Sequence, residues 1–363
     1  MTMNSPFISP GMPPLDQKGK QTSFFEFWPM WLMYLPVFFM WIIWAIRYRS
    51  LTLPLIANPK INLSGMVGTP KSDIFNMAGE FAKSSILDWF VVHQSKYSYQ
   101  QIVTQMQHKG FSFPIVVKPD IGCRGTGVKL IKTEQELKTV LTTYSEDSPI
   151  MVQKLSDFEA EVGLFYVKLP GQKTGTIQSM AFKYSPYVVG DGTSTLGELL
   201  QKDDRAKDLL DIYQNSCDFD LVLKPEEPHK LVFSASHCRG AIFRDGIEFN
   251  TPELEAQLDK IMSDIPDFNY GRLDVKFKDL MSLQKGQTLQ IVEINGAASE
   301  SLHIWDRNAN LNQAFCALLW QYKTLFLLGK QAREKGVKTP GIKALIKAWL
   351  HERSLVKFYP VND

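Results

Sequence analysis

Two stretches of this chain alternate so strictly at period two that they demand a pair of strands with one chemically loaded face. From Gly271 to Phe277, Arg272, Asp274 and Lys276 share one side, and Leu273, Val275 and Phe277 share the other. From Gln290 to Gly296, Glu293 and Asn295 share a side, with Val292 and Ile294 opposite. If the strands pair, an Asp, a Glu and an Asn amide oxygen converge beside a cation. Hard oxygen ligands of this kind suit Mg²⁺ carrying nucleotide phosphates. A half-buried hairpin with a solvated polar face gives the same pattern, so the choice falls to motifs upstream.

At 363 residues the chain can bury a sizeable core and hold more than one structural unit. Its 44% hydrophobic and 21% charged content is that of a folded protein. A net charge of +2 argues against nucleic acid as a partner. Cys123, Cys217, Cys238 and Cys316 lack metal-ligand spacing and form no disulfide framework.

Composition reads residues 1–22 as a disordered lead, rich in Pro, Gly, Ser, Asn and Gln. Residues 23–49 contain Phe27 to Ile46, a run without one charge. About 20 apolar residues at about 1.5 Å each match a hydrocarbon core of about 30 Å, so a transmembrane or membrane-inserted helix is expected. Trp28, Trp31, Trp41, Trp44 and Tyr48 suit its interfaces, and Pro36 would kink it or turn it back. Arg47 and Arg49 favour a cytoplasmic C-terminal part, anchored to the inner, cytoplasmic membrane. In residues 50–110, a connecting or substrate region, a loop from Asn58 to Ser72 precedes an amphipathic helix carrying Ile74, Phe75, Ala78, Phe81 and Ala82. Gly65 and Gly68 beside Lys71 and Ser72 form either an anion-holding turn or a plain connection.

Phe113 to Pro119 reads as a buried strand ending in Lys118. After it, Gly122, Arg124, Gly125, Thr126 and Gly127 form a hairpin tip whose N–H groups can close over phosphates. It is no dinucleotide fingerprint, because a strand and not a helix follows. Thr133 and Glu136 form a capping box opening a helix, and strands follow over 150–154 and 161–167.

Lys118, the glycine hairpin, Gln153-Lys154-Leu155, Glu161, Gly271 to Asp274 and Glu293 to Asn295 together, in this order, resemble the ATP-grasp superfamily. D-alanine:D-alanine ligases and the ligase half of cyanophycin synthetases look most similar. Tyr187 to Leu199 is similar to a Val-Gly-Asp-Gly stretch of the latter, with Thr193 in place of their lysine. The resemblance covers residues 111–330 and implies an α+β fold in which two subdomains clamp a nucleotide. It implies ATP and Mg²⁺, with Mn²⁺ as a substitute. Lys118 would contact the α-phosphate, and the hairpin the β- and γ-phosphates. Gln153, Lys154 and Leu155 would hold adenine, and Glu161, or Glu159 in its place, the ribose. Asp274, Glu293 and Asn295 would bind metal. Arg272, with Lys276 and Arg239, would act on the reacting groups, and Ser299, Ser301, Lys71 and Ser72 would face substrate. The substrate domain usual at the N-terminus of these ligases is replaced here.

The expected activity is an ADP-forming carboxylate–amine ligase, membrane-anchored, working through an acyl phosphate. The anchor suggests an amphiphilic, lipid-like carboxylate or amine. The rival readings are a phosphotransferase on another acceptor and a non-catalytic membrane-tethered nucleotide-binding protein. Residues 331–363 read as a basic amphipathic helix and tail, with Lys343, Lys347 and Arg353 beside an apolar stripe.

Overall fold

The computed structural model describes residues 7–16, 21–122, 125–214 and 216–360. Among these described residues, eleven strands form three antiparallel sheets. The first holds β1 (Trp89–His93), β2 (Ile115–Pro119), β3 (Lys129–Ile131) and β4 (Pro149–Lys154), in the spatial order β1-β4-β2-β3. Helices Ser98–Lys109 and Glu134–Leu141 cover it, burying Ile102, Met106, Leu137 and Leu141 against Ile115, Val117 and Val152. The Thr133 hydroxyl accepts from the Glu136 N–H at the start of the second helix, as the Ser/Thr-x-x-Glu spacing requires.

The second sheet is formed by β5 (Ala160–Val167), β6 (Thr176–Tyr184), β9 (Ile242–Asp245), β10 (Tyr270–Phe277) and β11 (Gln290–Asn295), ordered β11-β10-β5-β6-β9. Leu273, Val275 and Phe277 turn into a core closed by helix Pro252–Ser263. Between the two sheets β7 (Tyr187–Val189) and β8 (Pro228–Lys230) make a two-stranded flap.

The segment expected to enter a membrane folds otherwise. No helix among the described residues is long and apolar enough to cross a bilayer. The apolar run is divided into Met30–Met33 and Leu35–Arg47, with Tyr34 between them. Pro36 is the reason: it sits in the first turn of the second helix, where its missing N–H costs nothing, and there it cannot continue the first. The 13 residues of the longer piece reach only about 20 Å. Its tryptophans have a protein partner. Trp41, Trp44 and Tyr48 close around Phe326 of helix Leu311–Glu334, at ring-centre distances of 5.2, 5.8 and 5.9 Å. Phe25 and Met33 are buried with Trp305 in a second cluster. The outer side of the longer helix, with Phe38, Phe39, Ile42 and Ile43, stays exposed. The expectation of a membrane-anchored protein is therefore corrected, and that of an amphiphilic substrate, which rested on the anchor, loses its ground.

Two smaller differences have local causes. Residues 7–16, read from composition as part of a disordered lead, pack on the molecule, with Met12 in the core beside Ala160 and Val162. The helix expected to run from Ile74 through Ala82 is instead Lys71–Met77, a break, and the turn Glu80–Lys83. The break falls where Gly79 donates to the Asp264 carbonyl at 2.9 Å and lies so close to the Asp264 carboxyl that a side chain would collide with it. The helix Ile342–Val356 buries none of its residues fully.

Candidate active site

The two loaded strands do pair. In the antiparallel β10–β11 register Asp274 lies opposite Glu293, and Arg272 opposite Asn295. A bulge follows Asp274, and bulges re-aim side chains. The Arg272 Nε donates to Asp274 at 2.8 Å, and its Nη1 donates to the Glu300 carbonyl at 3.4 Å. Lys71 Nζ lies 3.7 Å from Glu293 and donates to the Gly122 carbonyl at 2.8 Å. Burial raises the Glu293 carboxyl, but Lys71, Lys118 and Arg272 outweigh it and hold the group below its ordinary value.

Lys118 lies across the cleft on the first sheet. Its Nζ donates to Gln153 Oε1 at 2.8 Å and to the Val292 carbonyl at 3.0 Å, so it bridges the two sheets. Burial pushes its ammonium down to about 8, against the pull of Glu293. Gln153 Nε2 and Asn295 Nδ2 are buried without a hydrogen-bond partner among the described residues. Unpaired buried polar atoms are costly, and both lie where a ligand would satisfy them.

A cavity of about 610 Å³ runs between the sheets, lined by Lys118, Gly122, Gly125, Thr126, Gln153, Lys154, Leu155, Glu159 and Glu161. Gly127 adjoins it in the left-handed region (φ +76°), its Cα so close to Pro119 that a side chain would collide with that ring. Arg124 lies outside the described residues. Glu161 is already engaged: Lys183 and Lys276 reach it at 2.6 and 2.9 Å. Burial raises its carboxyl, but the two ammoniums prevail and hold it far below the usual carboxylate range. Glu159, exposed on the rim, is the freer carboxylate, engaged by Tyr187 at 3.1 Å.

A second cavity of about 410 Å³ meets the first at Lys71, Lys183, Asp274 and Glu293. Ser299 lines it and donates to the Gly296 carbonyl at 2.6 Å. Two of the expected substrate-side residues, and the expected catalytic Arg239, do other things. Ser301 is buried and accepts a hydrogen bond from Gln321. The Ser72 N–H and hydroxyl both donate to Asp120, at 2.8 and 2.5 Å. Arg239 Nη1 donates to the Ser234 carbonyl at 2.9 Å, bracing the segment that forms the cavity wall.

Two lysines of the first cavity escaped sequence reading, Lys183 on β6 and Lys230 on β8. Their one sequence signal is a lysine inside a short strand pattern. Lys183 Nζ is fixed by Glu161. Lys230 is carried in by the flap, and burial pushes its ammonium down to about 8.

Residues 85–183 match the RimK-like ATP-grasp domain family. This stretch is an ATP-grasp domain. It contains Lys118, the glycine hairpin, Gln153 and Glu161, so the resemblance expected from the sequence is borne out. No curated protein matches the chain. Among solved structures, this chain is similar to the VanG D-Ala:D-Ser ligase of Enterococcus faecalis. Identity there is 11% over 72% of this chain and 64% of that one, with a TM-score of 0.41. For a D-alanine–D-alanine ligase of Bacillus anthracis the values are 14%, 76%, 72% and 0.42. For a bifunctional glutathione synthetase of Pasteurella multocida they are 13%, 70%, 36% and 0.38. The chain thus spans under two thirds of the VanG ligase and about a third of the glutathione synthetase.

Proposed function

We propose that this protein is an ATP-dependent carboxylate–amine ligase. The observation that carries the reading is the meeting of two cavities at Asp274 and Glu293, one lined like a nucleotide cleft, with Lys71 and Lys183 lining both at the junction. A phosphoryl group leaving the first cavity would arrive in the second between these cations.

The donor set suits a hard metal ion: two opposed carboxylates, with the Asn295 amide two pairs further along the same strands, on the same face. Asp274, Glu293 and Asn295 would hold Mg²⁺, or Mn²⁺, which would screen the phosphate charge during transfer. Lys118 supports the α-phosphate, and Lys183 and Lys230 the outer phosphates. Gln153 to Leu155 edge the adenine, and Glu159 takes the ribose hydroxyls because Glu161 is engaged by two lysines.

A carboxylate oxygen of the substrate attacks the γ-phosphorus, and ADP leaves. An amine nitrogen then attacks the acyl carbon, phosphate leaves, and an amide remains. Arg272, held against Asp274, faces the charge that develops at this junction. The test is ADP release by the purified protein with ATP, Mg²⁺ and paired carboxylates and amines, followed by mass spectrometry. Amide formation matched to ADP is expected. A stable phosphorylated product without amide would establish phosphotransfer instead, and no ADP release with any pair would reject the ligase reading.

A further inference from the structure

The second cavity has an acidic wall that the first lacks. Glu300 lines it, as do Tyr34 and Glu352. The Tyr34 hydroxyl donates to Glu300 Oε2 at 2.5 Å, and Trp305 Nε1 donates to Oε1 at 3.2 Å. Both donors are neutral. Burial, and after it the Glu300 charge, push the Tyr34 hydroxyl far above its ordinary value, so it stays a donor. Among the described residues no cationic side chain lies within ion-pair distance of the Glu300 carboxylate. Arg272 donates to the Glu300 backbone carbonyl at 3.4 Å and is ion-paired to Asp274, and it feels the Glu300 charge behind those of Asp274 and Glu293.

The carboxylate is held in place, not left to wander. Gly65 comes so close to Gly296 that a side chain on it would meet the Gly296 Cα at 2.8 Å. Ala297 and Ala298 donate their N–H groups to the Ser64 and Gly65 carbonyls at 2.8 and 3.1 Å. The residues leading into Glu300 are thereby fixed to the 58–72 loop, and its oxygens to Tyr34 and Trp305. A half-buried carboxylate oriented by neutral donors retains its demand for a counter-charge. The same cavity is also lined by Lys71 and Lys183, and by Arg272, which is engaged by Asp274.

We infer that Glu300 is the specificity-determining residue of the acceptor cavity and that it pairs with an ammonium group on the carboxylate substrate. The inference rests on the ligase reading for the identity of the cavity. The substrate lies with its reacting carboxylate toward Lys71, Lys183 and the Asp274–Glu293 pair, and with its cationic amine against Glu300. Tyr34 and Trp305 act as positioning residues. The run once expected in a bilayer then supplies part of the substrate wall, through Met30 and Tyr34.

The experiment is calorimetric binding to the full chain in the presence of Mg²⁺ and a non-hydrolysable ATP analogue. The probes are ω-amino acids from glycine to 6-aminohexanoate and the matched carboxylic acids that lack the amine. At least one amino acid should bind at least about tenfold more tightly than its partner, since losing one member of a desolvated charge pair costs that much or more. In Glu300→Gln, which keeps the shape and an acceptor oxygen, this preference should vanish. In Tyr34→Phe, which removes a hydrogen bond but no charge, it should persist, and a merely structural role for Glu300 would not separate the two variants. Thermal melting checks that both fold. No preference for the ammonium in the native protein, or a preference that survives Glu300→Gln, overturns the inference. Selective binding without ADP release would leave it standing and reject the ligase reading alone.

Discussion

At the scale of single residues, the site depends on charges brought close together and partly dried. Asp274 and Glu293 face each other across one strand pair and carry polar duties, so their loss should affect chemistry more than folding. Asp274→Asn or Glu293→Gln should lower ADP release by about 100-fold or more, with cooperative melting retained. A variant within a few-fold of the native rate would refute their part in catalysis. Lys230 gives a pH signature. Burial brings its ammonium down to about 8, Lys276 adds to the shift, and Glu161 opposes it. Only the charged form attracts phosphate. ATP affinity, measured by calorimetry, should therefore be full near pH 7 and fall as pH rises through 8 to 9. Lys230→Met should remove part of that fall and leave the part due to Lys118, whose ammonium burial also lowers to about 8. Affinity flat from pH 7 to 9.5 would contradict both assignments. The unliganded protein should show the opposite trend. Between about 8 and the ordinary value of 10.5 the unfolded chain holds the Lys230 proton and the folded chain does not. The depressed lysine therefore makes stability rise with pH across that window.

At the scale of elements, residues 342–360 form a strap against the glycine hairpin. The Glu352 carboxylate accepts from the Gly68 N–H at 2.6 Å. Beyond the helix, the Tyr359 hydroxyl donates to the Ile121 carbonyl at 2.5 Å, its ring lies against Gly122 and Tyr144, and its Cβ faces Gly127. The strap thus ties the 58–72 loop to the glycine hairpin. Tyr359→Ala should raise amide hydrogen exchange over residues 125–131 by about tenfold, because local opening is governed by the contacts that close it. It should also weaken ATP binding. Unchanged exchange would mean that the hairpin closes without the strap. The loop itself depends on backbone shape. Leu63, Ser64 and Gly65 all have positive φ, and Gly65→Ala adds a clash with Gly296 to a strained conformation. A loss of about 1–3 kcal/mol in denaturant unfolding is expected, and a neutral effect would show that the loop adapts.

At the scale of the whole molecule, the apolar N-terminal run is a core element shared by two clusters. It supplies Phe25, Met33 and Val37 to one and Trp44 to the other. Removing residues 21–46 would uncover Trp305, Tyr322 and Phe326 together. Truncating a single large buried aromatic costs about 3–5 kcal/mol, so the shortened chain should aggregate in size-exclusion chromatography. A monodisperse product with a cooperative melt would show that the run is dispensable.

The sequence by itself determined what local periodicity and spacing can carry. Alternation placed Arg272, Asp274, Glu293 and Asn295 on facing strands, and Thr133 with Glu136 marked a helix start, because these patterns concern neighbours within a few residues. The ordered motifs from Lys118 to Glu161 were enough to indicate the ATP-grasp domain. Apolarity, however, states that a residue leaves water and is silent on where it goes. Whether Trp41 and Trp44 meet lipid or Phe326 was decided by helix Leu311–Glu334, nearly 300 residues away. The engagement of Glu161 by Lys183 and Lys276, and of Glu300 by Tyr34, was decided the same way. A salt bridge or hydrogen bond between distant strands leaves no period in the chain, since it arises only when sheets and loops have been stacked.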